Sequence, residues 1–341
     1  MKYLKYGTIL GVVVCGLGTV GVGQARAETY RNDLQLSKLY RYHVSPGLAG
    51  TDLINAQRNA NRSFRSLMSQ LGMALAPQFH SPAETTGYNG FAFAAKYGFT
   101  TIDDSSEYWE NGTVRPPDPV LHTLSMDIRK GIWFPVPSFE LGAGFTHLVG
   151  SHLFSLNAMA KLSLHEGFLH WATPALAVRF AGQRIVGTSQ VDLTIIGIDI
   201  SVSKSFGVGG TFNFTPYFGY NLMWIWADSQ VIDTTPETDS LQWSADPTGG
   251  SFTTPIPPGQ FCTYQADCNN NYVFDDQDAI LRHRIFLGIR IIFYRLVLTI
   301  EAAWALKGNS QDDLALALVG DPIHDRAKFQ QTYSFSLGWD Y

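Results

Sequence analysis

FQQTYSFSLGWDY, residues 329–341, decides the fold. Its odd positions are Phe329, Gln331, Tyr333, Phe335, Leu337, Trp339 and Tyr341. Its even positions are Gln330, Thr332, Ser334, Ser336, Gly338 and Asp340. Successive side chains of a strand point to opposite faces. One face is therefore apolar and aromatic, the other small and polar. The alternation runs unbroken to an aromatic at position 341.

The same texture recurs upstream. His283, Ile285, Leu287, Ile289, Ile291 and Phe293 alternate with Arg282, Arg284, Phe286, Gly288, Arg290 and Ile292. Read this way, the chain has ten strands, near 86–99, 119–131, 138–148, 152–164, 174–185, 189–205, 210–228, 279–294, 295–306 and 326–341. The apolar phase slips near Ile195-Ile196, which predicts a bulge there.

Composition says where such strands belong. Only 16% of residues are charged, while 45% are hydrophobic and 13% aromatic. Soluble domains carry about a quarter charged residues. Yet no segment after the N-terminal leader is apolar for the ~20 residues a spanning helix needs. A chain that crosses a bilayer without helices must close its strands into a barrel, because lipid satisfies no backbone group. The net charge of −5 and the lack of a dense basic patch argue against a nucleic-acid partner.

Counting turns back from Tyr341 tests the assignment. The connections at 100–118, 149–151, 186–188, 229–278 and 307–325 fall on one side. Those at 132–137, 165–173, 206–209 and Tyr294-Arg295 fall on the other. All the long loops share one end, the asymmetry of single-chain bacterial barrels, which have an even strand number.

On these features the chain resembles Gram-negative outer-membrane β-barrel proteins, without matching one characterised family. The most specific part is the apolar row Tyr333, Phe335, Leu337, Trp339 and Tyr341. It resembles the closing-strand signal read by the barrel assembly machinery. The resemblance implies an all-β fold: a transmembrane antiparallel up-and-down barrel of about ten strands (8–12) with an N-terminal periplasmic or luminal helix. It also implies location in the outer membrane, in contact with lipid and lipopolysaccharide.

The N-terminus reads as a signal peptide over 1–27: Lys2 and Lys5, an apolar Gly-rich run, then Ala25-Arg26-Ala27. Val14 before Cys15 argues against a lipid anchor. Cys262 and Cys268, within the long extracellular loop 229–278, are expected to close a local disulfide. That loop also carries Asp275, Asp276 and Asp278, weak calcium candidates whose spacing fits no EF-hand.

Residues 28–85 precede the barrel, placed at 86–341. Leu53, Ala56, Ala60, Phe64, Leu67 and Leu71 predict an amphipathic helix over about 50–72, started at Thr51 and stopped by Pro77. Arg58, Arg62 and Arg65 lie off its stripe. Three placements stand: a plug in the lumen, a docking helix for a periplasmic partner, or packing at the barrel base.

If aromatic faces meet lipid, the opposite faces put Lys96, Asp127, Arg129, Glu140, Lys161, Arg179, Asp192, Asp199, Arg282, Arg284, Arg290 and Glu301 in the lumen. A ten-stranded interior is narrow, so these charges are expected to pair. Two functions follow: porin-like passage of small polar solutes, or a non-conducting barrel acting as adhesin, anchor or component of an envelope complex. An outer-membrane enzyme is the remote third. Its candidates are His147, His152, His165, His170 and His283, near Ser151, Ser155 and Ser163, and they form no catalytic signature. No cofactor is expected. Trp109, Trp133, Trp171, Trp224, Trp226, Trp243, Trp304 and Trp339 are expected in interfacial girdles.

Overall fold

The computed structural model describes residues 30–133, 136, 138–166, 173–209, 211–234, 271–312 and 322–341. Ten long strands carry the architecture: β1 (Phe91–Thr101), β2 (Val120–Ile132), β3 (Phe139–Leu148), β4 (Phe154–His165), β5 (Ala175–Val186), β6 (Val191–Ser203), β7 (Phe212–Ser229), β8 (Gln277–Phe293), β9 (Leu296–Ala305) and β10 (Gln330–Asp340). Each pairs antiparallel with the next, and β10 pairs with β1, so the sheet closes. A short strand, Phe206–Val208, pairs with the start of β7.

Closure leaves no free edge. It also sorts side chains into two environments. Along β10, Gln330, Thr332, Ser334 and Ser336 are buried, whereas Tyr333, Phe335, Leu337 and Trp339 are exposed on the outer wall. Phe93, Tyr97, Phe145, Phe180, Phe218 and Leu298 are exposed in the same way. An apolar outer wall around a polar interior inverts the soluble arrangement, and lipid is the solvent that stabilises it.

β6 differs from expectation. Its register against β7 runs continuously from Val191↔Ser229 to Ser203↔Tyr217, so there is no bulge at Ile195-Ile196. The inward row is Val191, Leu193, Ile195, Gly197, Asp199, Ser201 and Ser203. Its chemistry changes from apolar to polar along one face, which the sequence pattern mimics as a phase slip. Asp192, expected in the lumen, consequently points outward. It is half-exposed and bonded to Arg184 at 3.0 Å. Only a bulge would have put Asp192 and Asp199 on one face.

Close approaches inside the wall need glycine at Gly219 and Gly288. A Cβ at Gly288 would collide with the Tyr217 ring, and one at Gly219 with the Phe286 ring. Gly288→Ala is expected to lower stability by ~1–3 kcal/mol through overpacking, read as a lower urea midpoint of the folded barrel.

The helices gather at the long-loop end. They are α1 (Leu36–His43), α2 (Gly50–Leu75) and α3 (Glu107–Gly112), the last within the β1–β2 connection. α2 starts after Ala49, with no side-chain cap, one residue before the expected Thr51. The main apolar core joins Leu36, Leu39, Phe64, Leu67, Met68 and Leu71 of α1 and α2 to the barrel. The barrel contributes Ile102, Leu121, Leu148, Ile185, Val191, Leu193, Ile225, Ile280 and Ala305. Every one of these lies toward the barrel end that carries the long loops. The core is thus a stopper in one mouth of the barrel.

Candidate functional site

The site is the lumen, and the protein's own N-terminal segment occupies it. After Leu75 the chain leaves the helical conformation and runs through the interior to β1. Leu75 O accepts a hydrogen bond from Gln183 Nε2 of β5. Lys96 of β1 donates to Gln78 O. The buried His80 ring bonds Ser334 of β10 at 2.7 Å through Nε2. Ala83 N donates to Ser203 Oγ of β6 at 3.1 Å. Thr86 N donates to Glu140 Oε2 near the start of β3 at 2.8 Å. The last contacts are at the short-turn end, where Phe91 and Tyr341 exchange backbone hydrogen bonds of 2.8 Å.

Eleven of the charged residues assigned above to the lumen are buried: Lys96, Asp127, Arg129, Glu140, Lys161, Arg179, Asp199, Arg282, Arg284, Arg290 and Glu301. They form linked groups. Lys96 contacts Asp127, which also lies 3.5 Å from Arg129 Nε. Glu140 bridges Lys161 at 3.1 Å and Arg129 at 3.5 Å. Arg179 binds Asp199 at 2.7 Å. Glu301 accepts from Tyr217 Oη at 2.7 Å. Charges this buried are tolerable only when paired and hydrogen-bonded.

The segment supplies part of that satisfaction. Lys161 Nζ donates to Pro82 O at 3.1 Å and Glu84 O at 2.8 Å. Arg129 reaches Ser81 Oγ at 3.0 Å, and Arg284 reaches Pro77 O at 3.1 Å. Glu84 approaches Arg290 at 3.7 Å. The Phe79 ring sits beneath Lys96 and Arg179, at 5.3 and 5.8 Å, in cation–π geometry. The arginine row at 282, 284 and 290 therefore faces this segment and its neighbours.

α2 extends the same logic upward. Ser69 Oγ accepts from Arg282 Nη1 and donates to Asp325 Oδ2, each at 2.6 Å. Gln70 Oε1 accepts from the indole of Trp109 at 2.6 Å, and Gln70 O accepts from Gln330 at 3.1 Å. Arg65, expected off the buried stripe, is fully buried and donates to Ser310 Oγ at 3.1 Å. The helix thus buries polar as well as apolar sides, so the periplasmic docking placement is corrected. α2 lies at the long-loop end and does not present a face to the opposite mouth. Trp109 is likewise corrected: it is buried against α2 instead of lying in an interfacial girdle.

The remaining sequence candidates scatter. Asp275 N donates to Asn61 Oδ1 at 2.9 Å, and Asp275 Oδ2 accepts from Asn61 Nδ2 at 2.8 Å. Asp276 is exposed, and the Asp278 side chain lies outside the described residues. Among the described residues no group of three or more His, Cys, Asp and Glu could hold a metal. Cys262, Cys268, His170, Trp171 and Trp243 lie outside the described residues. His147 stacks on Phe154, and His283 bonds Tyr220 Oη. Ser151 closes its own turn on Leu148 O at 2.8 Å.

The N-terminal stretch is clamped over the mouth. Asp33 accepts from His152 N at 2.6 Å and contacts His152 Nδ1 at 2.8 Å. Asn32 N donates to Gly150 O at 3.0 Å, and Leu36 N to Gln190 Oε1 at 2.6 Å. His43 Nε2 lies 2.9 Å from Ser63 Oγ, which donates to Glu107 at 3.2 Å. Burial lowers the pKa of His43 first, Glu107 opposes this, and Arg326 adds to it. A depressed histidine pKa means the unfolded state binds the proton more readily. The His43 contribution is thus complete above the unfolded value of ~6.5 and falls as pH drops below it. Wild-type stability should decline between neutral and acidic pH by more than that of His43→Asn, in urea titrations of both proteins.

No protein-family model matches the chain, and no curated protein matches it in sequence. Solved structures do. The β domain of the Bordetella autotransporter BrkA is 11% identical, with a TM-score of 0.31, over 74% of this chain and 99% of that one. The translocator domain of the autotransporter NalP from Neisseria meningitidis is 9% identical, also with a TM-score of 0.31, over 84% and 97%. Neisserial surface protein A is 10% identical, with a TM-score of 0.28, over 74% and 94%. The closed antiparallel sheet with its lipid-facing apolar wall identifies this chain, on its own geometry, as an outer-membrane β-barrel protein.

Proposed function

We propose that this protein is a resident-plug barrel: a non-conducting outer-membrane anchor that presents its N-terminal segment and long loops, and is not an open porin. The observation that carries this reading is the unbroken series of luminal contacts from Leu75 to Thr86. A ten-stranded barrel is only slightly wider than the eight-stranded case that side chains alone nearly fill. One extended chain, with its buried ion pairs, leaves a narrow interior for solutes. The reading invokes no enzymatic role; among the described candidates, His147 stacks on Phe154, His152 clamps Asp33, His283 bonds Tyr220 and Ser151 closes a turn. Lipopolysaccharide and lipid are its surroundings, and the row Tyr333 to Tyr341 is the proposed handle for the barrel assembly machinery.

Conductance tests it. The folded full-length protein in a planar bilayer should give no steps above baseline. Moderate urea should release the segment before the barrel, giving steps that vanish on dilution. Steady steps in buffer alone would overturn the reading and favour porin-like passage.

A further inference from the structure

We infer that the N-terminal segment crosses the outer membrane inside its own barrel, so that α1 and the first half of α2 lie on the cell surface. The inference rests on the resident-plug reading and adds the direction of the chain.

Two observations fix that direction. The first is the identity of the ends. β1 begins and β10 ends at the mouth with the tight turn Tyr294-Arg295, whereas the α3-bearing connection, the 230–276 connection and the 306–329 connection occupy the other. Short turns mark the periplasmic mouth and long loops the outer one. The second is the chain path. Asn32, Asp33 and Leu36 are bonded to Gly150, His152 and Gln190, all in connections at the long-loop mouth. Thr86 is bonded to Glu140 at the opposite mouth.

The path also has the right length. Gln183, which holds Leu75 O, lies three residues from the outer end of β5. From Leu75 to Thr86 an extended chain spans at most ~36 Å. The lipid-facing band of an outer-membrane barrel is ~25 Å tall. That reach is enough for the segment to continue the last turns of α2 through the band in one pass, from Ser69 against Arg282 near the outer end of β8 to Thr86 against Glu140, and everything before it emerges outside. A hairpin returning to the periplasm would need a second pass through the same lumen. The described contacts from Leu75 to Thr86 engage β1, β3, β5, β6 and β10, on several sides of the barrel, around this one pass.

The test uses the full chain in intact cells, with Cys262→Ser and Cys268→Ser as background. Tyr42→Cys places a thiol on the exposed face of α1, and Arg295→Cys one in the tight turn. A large polyethylene-glycol maleimide, excluded by the outer membrane, should label Tyr42→Cys in intact cells. It should label Arg295→Cys only after permeabilisation. Labelling of Tyr42→Cys only after permeabilisation, or of Arg295→Cys in intact cells, overturns the inference. Heat-modifiable mobility on gels confirms that each variant has folded. The conductance result stands apart: a closed barrel with an inverted labelling pattern would sink this inference and leave the plug.

Discussion

Glu140→Ala should be among the most destabilising single substitutions in the barrel. Glu140 is fully buried and serves three partners: Lys161 at 3.1 Å, Arg129 at 3.5 Å and the backbone N–H of Thr86 at 2.8 Å. Removing the carboxylate leaves Lys161 without a carboxylate partner and Arg129 with Asp127, also at 3.5 Å, as its one remaining carboxylate among the described residues. Breaking a buried pair in this way costs about 3–5 kcal/mol, because a desolvated charge is left uncompensated. Glu140→Gln keeps an acceptor for Thr86 without the charge, and should fall between the wild type and Glu140→Ala. Urea unfolding followed by gel mobility reads all three. Equal midpoints for wild type and Glu140→Ala would show that these luminal charges are hydrated and unpaired.

Phe64→Ala should act on the stopper and spare the wall. Phe64 is fully buried and stacks on Phe274 at 4.7 Å, and Tyr272 and Tyr40 extend the cluster. Truncating such a ring costs about 3–5 kcal/mol, the lost transfer energy plus the cavity left behind. The apolar cap is joined to the wall mainly through one end, so the loss should appear as local opening. Limited proteolysis should then cut between α1 and α2 in the variant under conditions where the wild type resists. The barrel band should keep its folded mobility in both. Cleavage of neither protein, or loss of the barrel band, would contradict this division.

The barrel was legible because its signal is periodic. The alternation in 329–341 and 282–293 reports a two-faced environment directly, and each of the ten strands overlaps the segment read for it, with ends that differ by a few residues. The plug was only half legible. The stripe Phe64, Leu67 and Leu71 revealed a helix, but Arg65, Ser66, Ser69 and Gln70 read as its solvent face. They are buried because their partners, among them Arg282, Trp109 and Gln330, are polar groups distant in sequence. No local pattern distinguishes a polar side facing water from one facing a polar lumen. The same limit explains residues 86–90, read as the start of the first strand although β1 begins at Phe91. It also explains Asp192, whose side depends on a register that stays unbroken through Ile195 and Ile196. Asp275 looked like a loop carboxylate and is a clamp on Asn61.

The resident plug requires residues 76–86 to lie inside the barrel, and a cysteine pair asks this directly. Ala83 N and Ser203 Oγ are 3.1 Å apart within the lumen, although 120 residues separate them in sequence. In the Cys262→Ser, Cys268→Ser background, Ala83→Cys with Ser203→Cys should form a disulfide on mild oxidation of the folded protein. The denatured, unreduced chain should then migrate faster on a gel, and reductant should reverse the shift. No cross-link in a folded barrel, with both thiols still open to a small permeant maleimide, would place the segment outside the lumen and contradict the account.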